Sequence, residues 1–179
     1  LCVWDVEAKT LVNYTRLLRP ARCVDASEDK IAAGLDDGSV TVVDASTMKT
    51  LFIIKGGAHT KNEIEERRHH GLGPCGLMAA QSAGQQHEAL NAQKVSDDGV
   101  DSVRLTSDKV AVGRRDGSLR VYAMDGTQVV SYNNCGSRII QIDWDASSNY
   151  MRCATAAKEL RWFDVSQKKT ISARRAAEL

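Results

Sequence analysis

A strand-and-turn unit that returns about every forty residues constrains this chain more than any other feature of it. Its clearest copy is Glu159-Leu160-Arg161-Trp162-Phe163-Asp164, with apolar residues at alternate positions, closed by an aspartate and a polar turn. Earlier copies read Ser39-Val40-Thr41-Val42-Val43-Asp44 and Ser118-Leu119-Arg120-Val121-Tyr122-Ala123, and the chain opens inside another, Leu1-Cys2-Val3-Trp4-Asp5. The segment after the strand repeats as well: Asp5 leads to Lys9-Thr10-Leu11, Asp44 to Lys49-Thr50-Leu51 and Asp164 to Lys169-Thr170-Ile171. Trp4, Val43, Tyr122 and Phe163 are therefore equivalent, at spacings of 39, 79 and 41 residues. The middle spacing is close to two periods, which predicts an insertion between units.

Units of this length with four short strands each are the blades of a β-propeller, which bury their faces only by stacking on neighbours. The fold class expected is all-β: a partial propeller of about three four-stranded blades plus a partial one, with a long, irregular or helical insertion. The boundaries read as 1–13 for the end of a preceding blade, 14–54 for a blade, 55–97 for the insertion, 98–133 and 137–171 for two more blades, and 172–179 for a truncated tail too short to hold a helix unaided. Closed propellers usually have more blades than this, so a longer domain is expected. Asp36-Asp37-Gly38, Asp116-Gly117 and Asp125-Gly126 each stand between apolar runs, as tight hairpin turns require. Lys30-Ile31-Ala32-Ala33-Gly34 and Lys109-Val110-Ala111-Val112-Gly113 match position for position, and their small residues suit an inner strand that passes close to the neighbouring blade.

Residues 55–97 lack strand alternation. They contain two short helical candidates, Glu63 to His70 and Gln86 to Lys94, and acidic and basic side chains in equal number. The reading is a surface insertion between blades. All four histidines, His59, His69, His70 and His87, fall here together with Cys75. Imidazole and thiolate are zinc ligands, but these spacings fit no finger pattern, so a solvated loop is preferred and no metal is assigned.

The formal net charge of +1 gives no global attraction to nucleic acid or to an anionic membrane, so a charged partner must be met by a local patch. No apolar run approaches the length of a membrane span, and no secretory signal is read. Five cysteines without a CxxC pair point to a reducing cytosolic compartment. There is no phosphate-binding glycine loop, nucleophile elbow or His-paired cysteine in the strands, so neither catalysis nor a cofactor has a carrier. Asp5, Asp44 and Asp164 each end an equivalent strand and are read as turn-capping residues, not as a carboxylate cluster. Trp144, Trp162 and Phe163 are read as packing residues.

Ile140-Gln141-Ile142-Asp143-Trp144-Asp145, Asn149-Tyr150-Met151 and Leu160-Arg161-Trp162-Phe163-Asp164 resemble the WD40 repeat and, more narrowly, the echinoderm microtubule-associated protein-like family. The resemblance covers about three quarters of the chain, Leu1 to Leu51 and Ser137 to Asp164 most closely. One turn departs from it: Ala154-Thr155-Ala156-Ala157-Lys158-Glu159 replaces an Asn-Ser-Gly-Asp-Tyr-Glu sequence. The resemblance implies a non-enzymatic microtubule-associated scaffold of the cytoplasm and cytoskeleton, in settings such as a cilium or flagellum, with tubulin as partner. The alternative is a general WD40 adaptor that scaffolds another complex without touching tubulin. Arg16, Arg19, Arg22, Arg114, Arg115, Arg138 and Arg152 are the candidates for a basic surface that meets acidic tubulin tails. No spacing among them shows that they converge, and solvated arginines are the simpler reading.

Overall fold

The computed structural model describes residues 1–27, 29–56, 99–133 and 135–177. From residue 57 onward, the expected insertion lies outside these residues, and with it the two helical candidates and His59, His69, His70, Cys75 and His87.

Fourteen described strands form four antiparallel sheets in chain order. The first sheet has two strands, β1 (Cys2–Asp5) and β2 (Thr10–Tyr14). Tyr14 pairs with Cys2 and so belongs to this sheet, not to the next blade. The second sheet contains β3 (Ala21–Ala26), β4 (Lys30–Leu35), β5 (Val40–Asp44) and β6 (Thr50–Ile54). The third contains β7 (Val100–Leu105), β8 (Lys109–Arg114), β9 (Leu119–Ala123) and β10 (Gln128–Tyr132). The fourth contains β11 (Ile139–Trp144), β12 (Tyr150–Thr155), β13 (Leu160–Asp164) and β14 (Lys169–Ile171). Each four-stranded sheet is a meander whose neighbours in sequence are neighbours in space. A one-turn helix, α1 (Ala173–Ala176), comes next, and the Ser172 hydroxyl caps it by accepting from the Arg175 N–H. The tail expected to hold no helix therefore holds this one turn, because a cap supplies a partner for an otherwise orphaned donor.

The sheets open like a fan from one edge. β7 lies against β3 and β4 of the sheet before it, and β11 against β7 and β8. The first strand of each four-stranded sheet is thus innermost, and the strand with the small residues is second from the axis. Its glycines are nonetheless where neighbouring sheets come closest: a Cβ on Gly34 would stand 2.5 Å from Val100 Cγ1, and one on Gly113 2.6 Å from Ile139 Cγ2.

The core is a series of sandwiches between sheets. Ala32, Val40, Val42 and Ile54 pack on Val100, Val103, Val110, Val112 and Tyr122. Leu119, Val121, Val130 and Tyr132 pack on Ile139, Ile142, Met151, Cys153 and Phe163. A smaller cluster joins Leu1 and Val3 to Ile31, Val43 and Met48. Tyr132 and Phe163 meet ring to ring at 4.4 Å, and the Tyr132 hydroxyl donates to the Asp164 carbonyl, 3.1 Å.

The strand-end aspartates cap their turns. The carboxylates of Asp5, Asp44 and Asp164 accept from the N–H groups of Ala8, Thr47 and Gln167, each three residues ahead. Hydrogen bonds from Ser46 and Thr47 hold the Asp44 carboxyl down at about 2. The tight turns between β4 and β5 and between β8 and β9 place Gly38 and Gly117 at φ 81°, where glycine is the favoured residue. The equivalent turn between β12 and β13 keeps the same bend with Lys158 at φ 63°.

Candidate functional site

The innermost strand of every four-stranded sheet carries a bulge at the same place: between Ala21 and Cys23, between Val100 and Ser102, and between Ile139 and Gln141. The extra residues, Arg22, Asp101 and Ile140, fall out of register, as bulges do when they re-aim a side chain. A repeated hydrogen bond fixes the adjoining hairpin turn in each sheet, from Asp36 N–H to the Pro20 carbonyl, Arg115 N–H to Gly99 and Ala156 N–H to Arg138. Bulge and turn therefore meet at one end of each blade, which forms one face of the fan.

On that face three arginines from three sheets converge on one carboxylate. Arg22 donates through Nε to Asp101 Oδ1 at 2.9 Å, and Arg115 donates to the same oxygen at 3.2 Å. Arg138 approaches the other oxygen, Oδ2, at 3.9 Å. The Asp101 side chain is only 10% exposed, whereas Arg22 and Arg138 are 38% and 51% exposed. Burial pushes the Asp101 carboxyl upward, but hydrogen bonds from Arg115 and Arg22 outweigh it and hold the group below its ordinary value. The cluster thus sets three guanidiniums around one carboxylate.

The other candidate arginines are placed elsewhere. Arg19 stands 3.9 Å from Asp37 on the same face, and Arg16 is exposed. Arg114 is fully buried, so it offers no surface to a partner, unlike its neighbour Arg115 in the turn. Arg152 belongs to a second charged row. At equivalent positions of the three innermost strands, Asp25, Arg104 and Asp143 alternate in sign, and Arg104 bridges the two carboxylates at 2.9 and 3.6 Å while Arg152 reaches Asp143 at 3.1 Å. Arg104 also donates to the Ile142 carbonyl, and Asp25 accepts the Leu105 N–H, so this row ties the sheets together. Sequence reasoning misses Asp101 because nothing local distinguishes it. The signal that could find it is the equivalence of position 101 with Arg22.

Trp144 is partly buried against the core, and Trp162 lies on the outer face of the last sheet in a hollow of about 530 Å³ with Tyr150, Arg152 and Ile171. Among the described residues no group of three or more His, Cys, Asp or Glu is placed to hold a metal ion. No described helix is long and apolar enough to cross a membrane.

No protein-family model matches the sequence, and no curated protein does. Solved structures do match the fold. A chain of the mitotic checkpoint complex superposes with a TM-score of 0.64 at 12% identity, covering 96% of this chain and 42% of that one. The computationally designed Ika8 protein gives 0.61 at 13% identity over 94% and 41%, and the RRP9 WD40 repeats give 0.61 at 9% over 88% and 39%. This chain therefore spans about two fifths of the structures it matches. With its meandering four-stranded sheets fanned about their first strands, the chain has the fold of a partial WD40-type β-propeller.

Proposed function

We propose that this chain is part of a non-enzymatic, microtubule-associated scaffold whose arginine face meets the acidic surface of tubulin. The observation that carries the reading is the convergence of Arg22, Arg115 and Arg138 on the single carboxylate of Asp101. A buried counter-ion that neutralises only one of three guanidiniums leaves a positive patch suited to a carboxylate-rich protein segment. The scaffold part is supported by the propeller fold, which offers broad rigid surfaces held by stacked blades. The tubulin part is supported by the resemblance carried by Ile140 to Asp145, Asn149 to Met151 and Leu160 to Asp164.

Co-sedimentation of the full-length protein with polymerised tubulin tests it. Binding is expected at low salt, weakening as salt is raised because exposed charges are screened within about 8 Å at physiological ionic strength. The double substitution R22Q/R138Q is expected to weaken it about tenfold or more, the loss of about 1.4 kcal/mol. No co-sedimentation at low salt would leave the general adaptor as the function.

A further inference from the structure

We propose that the Asp101 cluster is a seat for one side-chain carboxylate of a glutamate-rich peptide, bridged between Arg22 and Arg138, and that Asp101 is a built-in counter-ion that shapes the seat and limits its affinity. This rests on the acidic-partner reading above and names the group that is bound.

Donors outnumber acceptors in the cluster. A carboxylate offers about four lone-pair directions, whereas each guanidinium carries five N–H donors in a planar fork. Asp101 is committed to Nε of Arg22 and to Arg115, and Arg138 at 3.9 Å stands beyond hydrogen-bond length from it. Most donors of Arg22 and Arg138 are thus not used by Asp101, and these two side chains are the exposed members of the cluster. They approach opposite oxygens of one carboxylate, so a second carboxylate beside it can accept a charge-assisted hydrogen bond from each of them.

The seat is held in place before any ligand arrives. Arg22 leaves β3 at a bulge, the Arg115 N–H is bound to the Gly99 carbonyl, and the Arg138 carbonyl accepts from Ala156. The backbone that carries these side chains therefore has little freedom left to lose on binding. Of the turn carboxylates nearby, Asp37 is engaged with Ser39 and Arg19, and Asp116 with the Ser118 N–H.

Isothermal titration of the full-length protein with hexaglutamate at low salt, with inorganic phosphate titrated separately, tests the proposal. Hexaglutamate is expected to bind, R22Q and R138Q each to weaken it about tenfold, and R16Q, outside the cluster, to leave it unchanged. D101N is expected to tighten binding, since it removes the competing anion; a folded D101N that binds more weakly overturns the counter-ion role. Should D101N fail to fold, R22Q and R138Q carry the test, since both side chains reach solvent. Peptide binding indifferent to R22Q and R138Q, or binding of phosphate without hexaglutamate, overturns the carboxylate seat. If hexaglutamate binds through these arginines and microtubules do not co-sediment, the seat stands and the tubulin reading falls. If hexaglutamate binding is indifferent to R22Q/R138Q while microtubules still co-sediment, the seat falls and tubulin association stands without the arginine face.

Discussion

Gly113 and Gly34 show how a single residue sets the distance between blades. The backbone of β8 passes so close to β11 that a methyl group on Gly113 would overlap Ile139 Cγ2 at 2.6 Å and crowd Ile142 Cδ1 at 3.1 Å. Ile139 and Ile142 are both fully buried, with no solvent side to move toward. Gly113→Ala is therefore expected to destabilise the full-length protein by about 1–3 kcal/mol, the cost of overpacking a filled core, read as a lowered midpoint in denaturant unfolding. Lys158 shows the opposite tolerance. The turn it occupies holds an exposed lysine at φ 63°, where the equivalent turns of the other blades hold Gly38 and Gly117, so a glycine is dispensable there while the bend is not. The strand-end aspartates belong to the same scale: Asp44 is held near 2 by hydroxyl and amide donors in its own turn, which is a structural duty with no chemistry attached.

At the scale of the element, equivalent strands differ in one respect, whether another sheet covers them. Val40 and Val42 in β5 and Leu119 and Val121 in β9 are fully buried against the following sheet. The equivalents of Val40 and Val42 in β13, Leu160 and Trp162, lie on an outer face, with Leu160 51% exposed. The mirror case is β1, where Trp4 is 60% exposed although Val43, Tyr122 and Phe163 at the same position are buried. Both end faces of the fan thus carry side chains of the kind that other sheets bury. Leu119→Ala in the full-length protein is expected to cost about 2–5 kcal/mol. Leu160→Ala is expected to cost a similar amount if a further blade packs on β13, as a partial propeller implies. A cost within about 0.5 kcal/mol would show that this face stays open to solvent, and chemical denaturation of the two variants side by side distinguishes the outcomes.

Across the whole molecule, the sheets are joined by apolar packing between their faces and by two rows of charge at the axis. Asp101 and Asp143 are carboxylates of these rows, and in both the upward push of burial is outweighed by arginine partners, Arg115 and Arg22 in one and Arg152 in the other. Each is held below its ordinary value, so its contribution to stability is complete above the unfolded carboxyl value and is lost as the pH falls through the lower folded value. The full-length protein is expected to lose stability on acidification below about pH 4, and Asp143→Asn is expected to flatten that dependence. An equal slope for the variant, measured by thermal unfolding at stepped pH, would mean that the row does not tie the blades.

The strands, their turns and their repetition are legible in the order of residues alone. Alternation, Asp-Gly pairs and aspartate caps act over two to five residues, and such local forces can be read locally. For that reason the equivalence of Leu160 to Asp164 with Val40 to Asp44 is visible without knowledge of a single contact. Which arginines come together is settled at longer range. Arg22, Asp101, Arg115 and Arg138 come from three sheets, and their meeting depends on how the innermost strands bulge and how the sheets splay. Arg114 is fully buried while the adjacent Arg115 stands beside Asp101, a difference between neighbours that charge and hydropathy cannot register. Side-chain direction in a strand changes with every residue and with every bulge, so it is fixed by the sheet a strand joins and the sheet that covers it.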